Sequence, residues 1–89
     1  MEKFFVFCYF MDFEPARLKT LIPAQIEYWQ KNAPANFTGG PFKDRSGGML
    51  SFSATDLDTA MEICKGDPFV KDGLVKEYWV REWLVSHRR

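Results

Sequence analysis

Residues 3–11 read Lys-Phe-Phe-Val-Phe-Cys-Tyr-Phe-Met, an aromatic and β-branched run without glycine or proline that breaks only at Asp12 through Pro15. Such a run is a strand. Because side chains alternate across a strand, Phe4, Val6, Cys8 and Phe10 fall on one face and Phe5, Phe7, Tyr9 and Met11 on the other. Neither set is polar. A chain that begins this way needs apolar cover on both sides of its first strand, and this requirement restricts the rest of the fold.

The cover for one side follows directly in sequence. Pro15 suits a first helical position, and Leu18, Leu21, Ile22, Gln25, Ile26 and Trp29 recur at helical spacing as one stripe. Pro23 interrupts the stripe, and proline is tolerated in a first turn but not in mid-helix. The expectation is a short helical turn over 15–21 and a second helix from Pro23 to about Asn32, ended by Ala33-Pro34-Ala35. Asn36 to Phe42, with Gly39-Gly40, reads as a second strand. Lys43 to Gly48 is a polar turn, and Met49 to Ala54 is a third strand that closes a hairpin. Thr55 or Asp56 can cap a helix with the stripe Leu57, Ala60, Met61 and Cys64, and Gly66 is expected to end it in the left-handed conformation. Asp67-Pro68 starts a short turn that closes at Gly73, and Leu74 to Val85 alternates into a long last strand.

The order β-α-β-β-α-β is the ferredoxin-like arrangement: an α+β fold, here one domain over residues 1–89, with a four-stranded antiparallel sheet and both helices on one face. Two helices cover one side only. The other side would carry half of the first strand and aromatic residues of the last, a patch larger than soluble monomers usually expose. The chain holds nine Phe, three Tyr and three Trp, while a monomer of this mass buries only about 64% of its unfolded surface. A homodimer joined through the open sheet face accounts for both.

Charge and cysteine content exclude several classes. Lys plus Arg equals Asp plus Glu, twelve each, with no basic stripe before His87-Arg88-Arg89, so nucleic-acid binding is disfavoured. Phe4 to Phe10 is too short to span a bilayer and no small-residue cleavage site follows, so neither a membrane anchor nor a signal peptide is expected. Cys8 and Cys64 form no disulfide framework and no metal-ligand spacing, and read as buried reduced thiols of a cytoplasmic protein. No phosphate loop, nucleophile elbow or dinucleotide fingerprint is present, and no cofactor or metal is expected.

A small set of residues is out of place for pure packing. Gln25 lies on the apolar stripe, where its amide needs a partner or a wet cavity; it reads as a ligand-binding group or as a satisfied half-buried amide. Gly39, Gly40, Ser51 and Ser53 are small residues on the hairpin strands among large aromatics, and they leave room for a ligand or ease the twist of the sheet. Asp67 before Pro68 is placed to cap the next turn, or to act as an acid or base whose pKa burial has raised. Tyr9, Tyr28, Tyr78, Trp29, Trp79 and Trp83 either line a cavity or pack the core and the dimer interface.

Gly39-Gly40-Pro41-Phe42, the Gly47-Gly48 hairpin and above all Gly66-Asp67-Pro68-Phe69-Val70-Lys71-Asp72-Gly73-Leu74-Val75 resemble the YciI-like (YCII-related) family of the dimeric α+β barrel superfamily. The resemblance implies a dimeric barrel with a cleft beside each sheet, and some relatives are linked to breakdown of small aromatic or halogenated compounds. It also implies chemistry resting on a histidine in a Pro-Ala-His segment near an aspartate. Here that segment reads Pro23-Ala24-Gln25, with Ile22 where an arginine often precedes the proline, while Asp67 is kept. An amide cannot shuttle protons at neutral pH. The preferred expectation is a small-molecule-binding dimer without the catalytic histidine, with Gln25, Gly40, Ser51 and Ser53 around the ligand. The alternative is a cofactor-free lyase or isomerase of aromatic or halogenated compounds with Asp67 as acid or base.

Overall fold

The computed structural model describes residues 2–32 and 34–87. The apolar run is strand β1 (Lys3–Met11), and it lies inside a four-stranded sheet of order β2-β3-β1-β4, with β2 (Thr38–Pro41), β3 (Gly47–Ala54) and β4 (Val75–Glu82). All three pairings are antiparallel. Helices α1 (Pro15–Asn32), α2 (Leu57–Lys65) and the one-turn α3 (Pro68–Lys71) pack on the face that carries Phe5, Phe7 and Tyr9. On that face Phe5 pairs with Phe52 and Phe7 with Leu50 of β3, and all four are buried with Trp29, Ala60 and Cys64 from the helices. This is the ferredoxin-like α+β order, with the helices on one face of an open sheet.

Helix α1 runs unbroken through Pro23, where the sequence suggests two pieces. Proline removes one backbone donor, but Lys19 and Pro23 are both exposed, so the carbonyl left without a partner is open to water. Leu18 before the proline and Trp29 after it are both buried on the sheet. Their anchorage outweighs a local penalty of roughly 3 kcal/mol. The rest of the stripe is only partly covered, with Ile22 41% and Ile26 50% exposed.

Other boundaries differ for local reasons. Asn36, expected in β2, takes a left-handed φ of 58° in the preceding turn and donates from Nδ2 to Ser53 Oγ at 2.9 Å. Gly47 and Gly48 belong to β3 and not to the turn, whose left-handed position is Arg45 at φ 68°. At Gly48 the requirement is space: a methyl group there would run into the Tyr9 ring and hydroxyl lying across it. Gly66 ends α2 with φ −80°, without the expected left-handed conformation. Space explains it too, since a Cβ would strike Tyr28, whose hydroxyl donates to the Ile63 carbonyl at 2.5 Å. Strand β4 stops at Glu82, short of Val85, although the Trp83 N–H still donates to the Phe4 carbonyl at 2.8 Å.

The opposite sheet face carries Phe4, Val6, Cys8 and Phe10 of β1 beside Met49 of β3 and Trp79 of β4. Cys8 is buried among its neighbours, whereas Phe10 is 37% and Met49 42% exposed. Trp83 stacks on Phe4 at 5.6 Å, and Arg81 lies 5.2 Å over the Trp79 ring. No helix among the described residues covers this face.

Candidate functional site

The partial cover of the α1 stripe has a geometric consequence. Between α1 and the β2-β3 hairpin lies a cavity of about 410 Å³, at the lower end of the size range of small-molecule sites. Leu18, Ile22, Gln25, Ile26 and Trp29 form its helical wall, and Gly39, Gly40, Pro41 and Leu50 its hairpin wall. Tyr9 and Phe69 lie beneath, their rings edge to face at 6.1 Å. Phe37 stacks on Trp29 at 5.3 Å and joins the lining. The lining is largely apolar. Its polar groups are the Gln25 and Gln30 amides, the Tyr9 hydroxyl and Arg45, which is exposed at the rim with its guanidinium 5.3 Å over the Phe13 ring.

Asp67 sits behind this lining, 1% exposed. Its Oδ1 accepts the Phe69 N–H at 2.7 Å and so caps α3. Its Oδ2 accepts the Trp29 indole N–H at 2.7 Å and lies 3.4 Å from Gln25 Nε2, a longer and weaker contact. An ionised carboxylate can only accept, so the amide meets it through the NH₂ group, which leaves Gln25 Oε1 for the cavity. Gln25 and Trp29 are one helical turn apart, and that spacing brings both donors to the same oxygen. Arg17 holds the far end of α3 in place through the Asp72 carbonyl at 2.7 Å and carboxylate at 2.9 Å.

Burial pushes the Asp67 carboxyl above its ordinary pKa, and the hydrogen bonds from Trp29, Phe69 and Gln25 pull against it. Burial also raises the Tyr9 phenol to about 12, helped by the charge of Asp67. The Cys64 thiol is likewise pushed up to about 12, by burial first and then by Asp67, and burial raises Cys8. Both cysteines are free and buried, which leaves them unreactive. Among the described residues no group of three His, Cys, Asp or Glu side chains could hold a metal ion, and no helix is long and apolar enough to cross a membrane.

The residues singled out in the sequence divide between the two faces of the sheet. Gln25 and Gly40 line the cavity, and Asp67 lies one hydrogen bond behind Gln25. Ser51 and Ser53 pair with Val6 and Phe4, and so face the open side of the sheet, away from the cavity. Phe37 and Arg45 carry no such signal in the sequence, because both enter the site from turns. Trp29 had one in its helical spacing to Gln25.

An open ferredoxin-like sheet, with a cavity enclosed between its first helix and its central hairpin, defines a class of small α+β proteins with a ligand-sized cleft beside the sheet. Residues 3–84 match the YCII-related domain, and the chain belongs to that family. Its structure is similar to that of 5-chloro-2-hydroxyhydroquinone dehydrochlorinase from Burkholderia phenoliruptrix AC1100 in complex with 2,5-dihydroxybenzoquinone. The two are 25% identical with a TM-score of 0.73, over 93% of this chain and 95% of the other. No curated protein matches the chain.

Proposed function

We propose that this protein is a cytoplasmic homodimer that binds a small, largely apolar ring compound in the cavity between α1 and the hairpin, without turning it over. The observation that carries this reading is Gln25. It lines the cavity with an amide, where the family resemblance places an imidazole, and an amide neither takes nor gives a proton near pH 7. Asp67 is not part of the lining, so it acts on a ligand only by orienting Gln25 and Trp29. The open sheet face, with Phe10, Met49 and Trp79, supports pairing with a second copy. The free, buried state of both cysteines fits a reducing compartment.

A second reading is favoured by one observation, the upward pressure on the Asp67 pKa. Burial shifts the carboxyl toward the protonated form that a general acid needs, and the dehydrochlorinase similarity offers halogenated hydroquinones as substrates. The two readings separate in one experiment. Calorimetric titration with 2,5-dihydroxybenzoquinone measures binding, and chloride release from 5-chloro-2-hydroxyhydroquinone measures turnover. Saturable binding at one site per chain, with chloride release at the buffer rate, is expected. Release well above that rate, lost in Asp67→Asn, would establish the second reading. Absence of both binding and release would remove the first.

A further inference from the structure

Tyr9 is 4% exposed, yet its hydroxyl makes no hydrogen bond to the described residues. Trp29, Tyr28 and Gln25 all direct their donors to acceptors of the protein itself. No fully buried side-chain nitrogen or oxygen among the described residues lacks a partner, so the Tyr9 hydroxyl is reached from the cavity that its residue lines. The ring is fixed on every side. Phe7 lies 5.5 Å away, Phe69 6.1 Å away, and Gly48 beneath has no side chain because the Tyr9 ring and hydroxyl occupy that place. Glycine at 48 is the residue that lets the hydroxyl lie along the hairpin wall, on the side of Gly48 where the Gly40 carbonyl also lies.

We propose that Tyr9 is the ligand-recognising donor of this cavity, and that the compounds it admits are flat rings carrying an acceptor oxygen, a carbonyl or a ring oxygen, which takes the Tyr9 proton in a hydrogen bond. This rests on the reading of the cavity as a small-molecule site and adds the chemistry it selects. Without a ligand the hydroxyl meets only water entering the cavity, and an acceptor on the ligand replaces that water with a hydrogen bond in apolar surroundings. Burial and the neighbouring Asp67 charge hold the phenol in its protonated, donating form over the whole physiological range. The surrounding walls of Trp29, Leu50 and Phe69 accept the ring.

Two probes of nearly one shape separate the donor from the walls: acetophenone, which has a carbonyl oxygen, and ethylbenzene, which has none. Both are titrated by NMR into the wild-type protein and into Tyr9→Phe, which keeps the ring and deletes the hydroxyl. Tyr9→Phe is expected to melt at the wild-type temperature, to bind acetophenone about tenfold more weakly, and to bind ethylbenzene within about twofold of wild type. Unchanged acetophenone binding, or an equal loss for both probes, overturns the role of Tyr9 while leaving the cavity reading intact. Failure of both probes to shift the Gln25 and Trp29 side-chain signals of the wild type sinks the cavity reading and the inference with it. A Tyr9→Phe protein that does not fold would show that the hydroxyl has an internal partner, which also overturns the proposal. Protein labelled with 3-fluorotyrosine gives an independent check without any deletion. Its Tyr9 fluorine signal, assigned with Tyr28→Phe and Tyr78→Phe, should move with acetophenone and stay still with ethylbenzene.

Discussion

Replacing Asp67 measures how much of this fold hangs on one buried carboxylate. Alanine at 67 removes the cap on the Phe69 N–H, worth about 0.5–2 kcal/mol. It also leaves the Trp29 indole N–H unpaired in the core, at a cost of about 1–3 kcal/mol. Part of this is recovered, because the carboxylate is itself unfavourably buried and its raised pKa records that. The expected net loss for Asp67→Ala is about 2–3 kcal/mol, which for a domain of this size lowers the melting temperature by roughly 10–20 °C. Asparagine keeps one accepting oxygen and turns the other into a donor, so it can serve Phe69 or Trp29 but not both. Asp67→Asn should therefore lose about half as much. Urea unfolding followed by tryptophan fluorescence reads these differences, at one fixed protomer concentration because self-association changes apparent stability. If alanine and asparagine both lie within about 0.5 kcal/mol of wild type, Asp67 does not organise α1 and α3 and the reasoning fails.

The pH dependence of the same pair has a fixed sign: a carboxyl raised above its ordinary 3.8 contributes stability that is full below that pH and is lost as pH rises through the folded value. The margin of wild type over Asp67→Asn should thus be wider near pH 3.5 than near pH 7, and urea midpoints that show the margin growing with pH contradict this. Gln25→His should place an imidazole beside Asp67 with its pKa elevated by the carboxylate, and NMR titration should show that elevation falling in Gln25→His/Asp67→Asn; a solvent-like value in both would mean that position 25 does not face Asp67. Gly66→Ala pushes a methyl group into Tyr28 and should cost about 1–3 kcal/mol in thermal or urea unfolding, whereas a neutral outcome would show that Tyr28 can move freely. Light scattering at micromolar concentration should report about twice the 10.4 kDa of one chain, and a monomer there would refute pairing through the open sheet face.

The sheet and its order were legible because hydrophobic period and turn chemistry are local properties. Strand β1 announces itself through alternation of apolar residues on both faces, and the Asp67-Pro68 pair marks α3 by the geometry of a cap. Pro23 misleads because its local penalty is known to the sequence while the anchorage of Leu18 and Trp29 on the sheet is not. Gly66 misleads in a related way: glycine at a helix end usually marks a left-handed residue, and here it marks the approach of Tyr28 from another helix. Gln25 stands out as an amide on an apolar stripe, but the sequence does not reveal which side of the hairpin strands that stripe meets. Ser51 and Ser53 share their small size with Gly39 and Gly40, but strand parity turns them to the other face.

The arrangement around Asp67 explains how a carboxylate can remain in place without a histidine beside it. In an acid–base pair the aspartate orients the imidazole, and loss of the imidazole would leave a buried charge with no partner, a state too costly to keep. Here the carboxylate has other obligations. Its two oxygens take the Phe69 N–H and the Trp29 indole, both needed to seat α3 and the second half of α1 on the sheet. Gln25 is the third and weakest partner at 3.4 Å, and it is the one that lines the cavity with a polar amide not fully committed to the carboxylate. Of these three partners, the one that the proposed reading turns toward a ligand is therefore the one most loosely tied to the carboxylate. On that proposed reading, position 25 tolerates an imidazole or an amide with little cost to stability, whereas Asp67 cannot change without loosening both helices that wall the cavity.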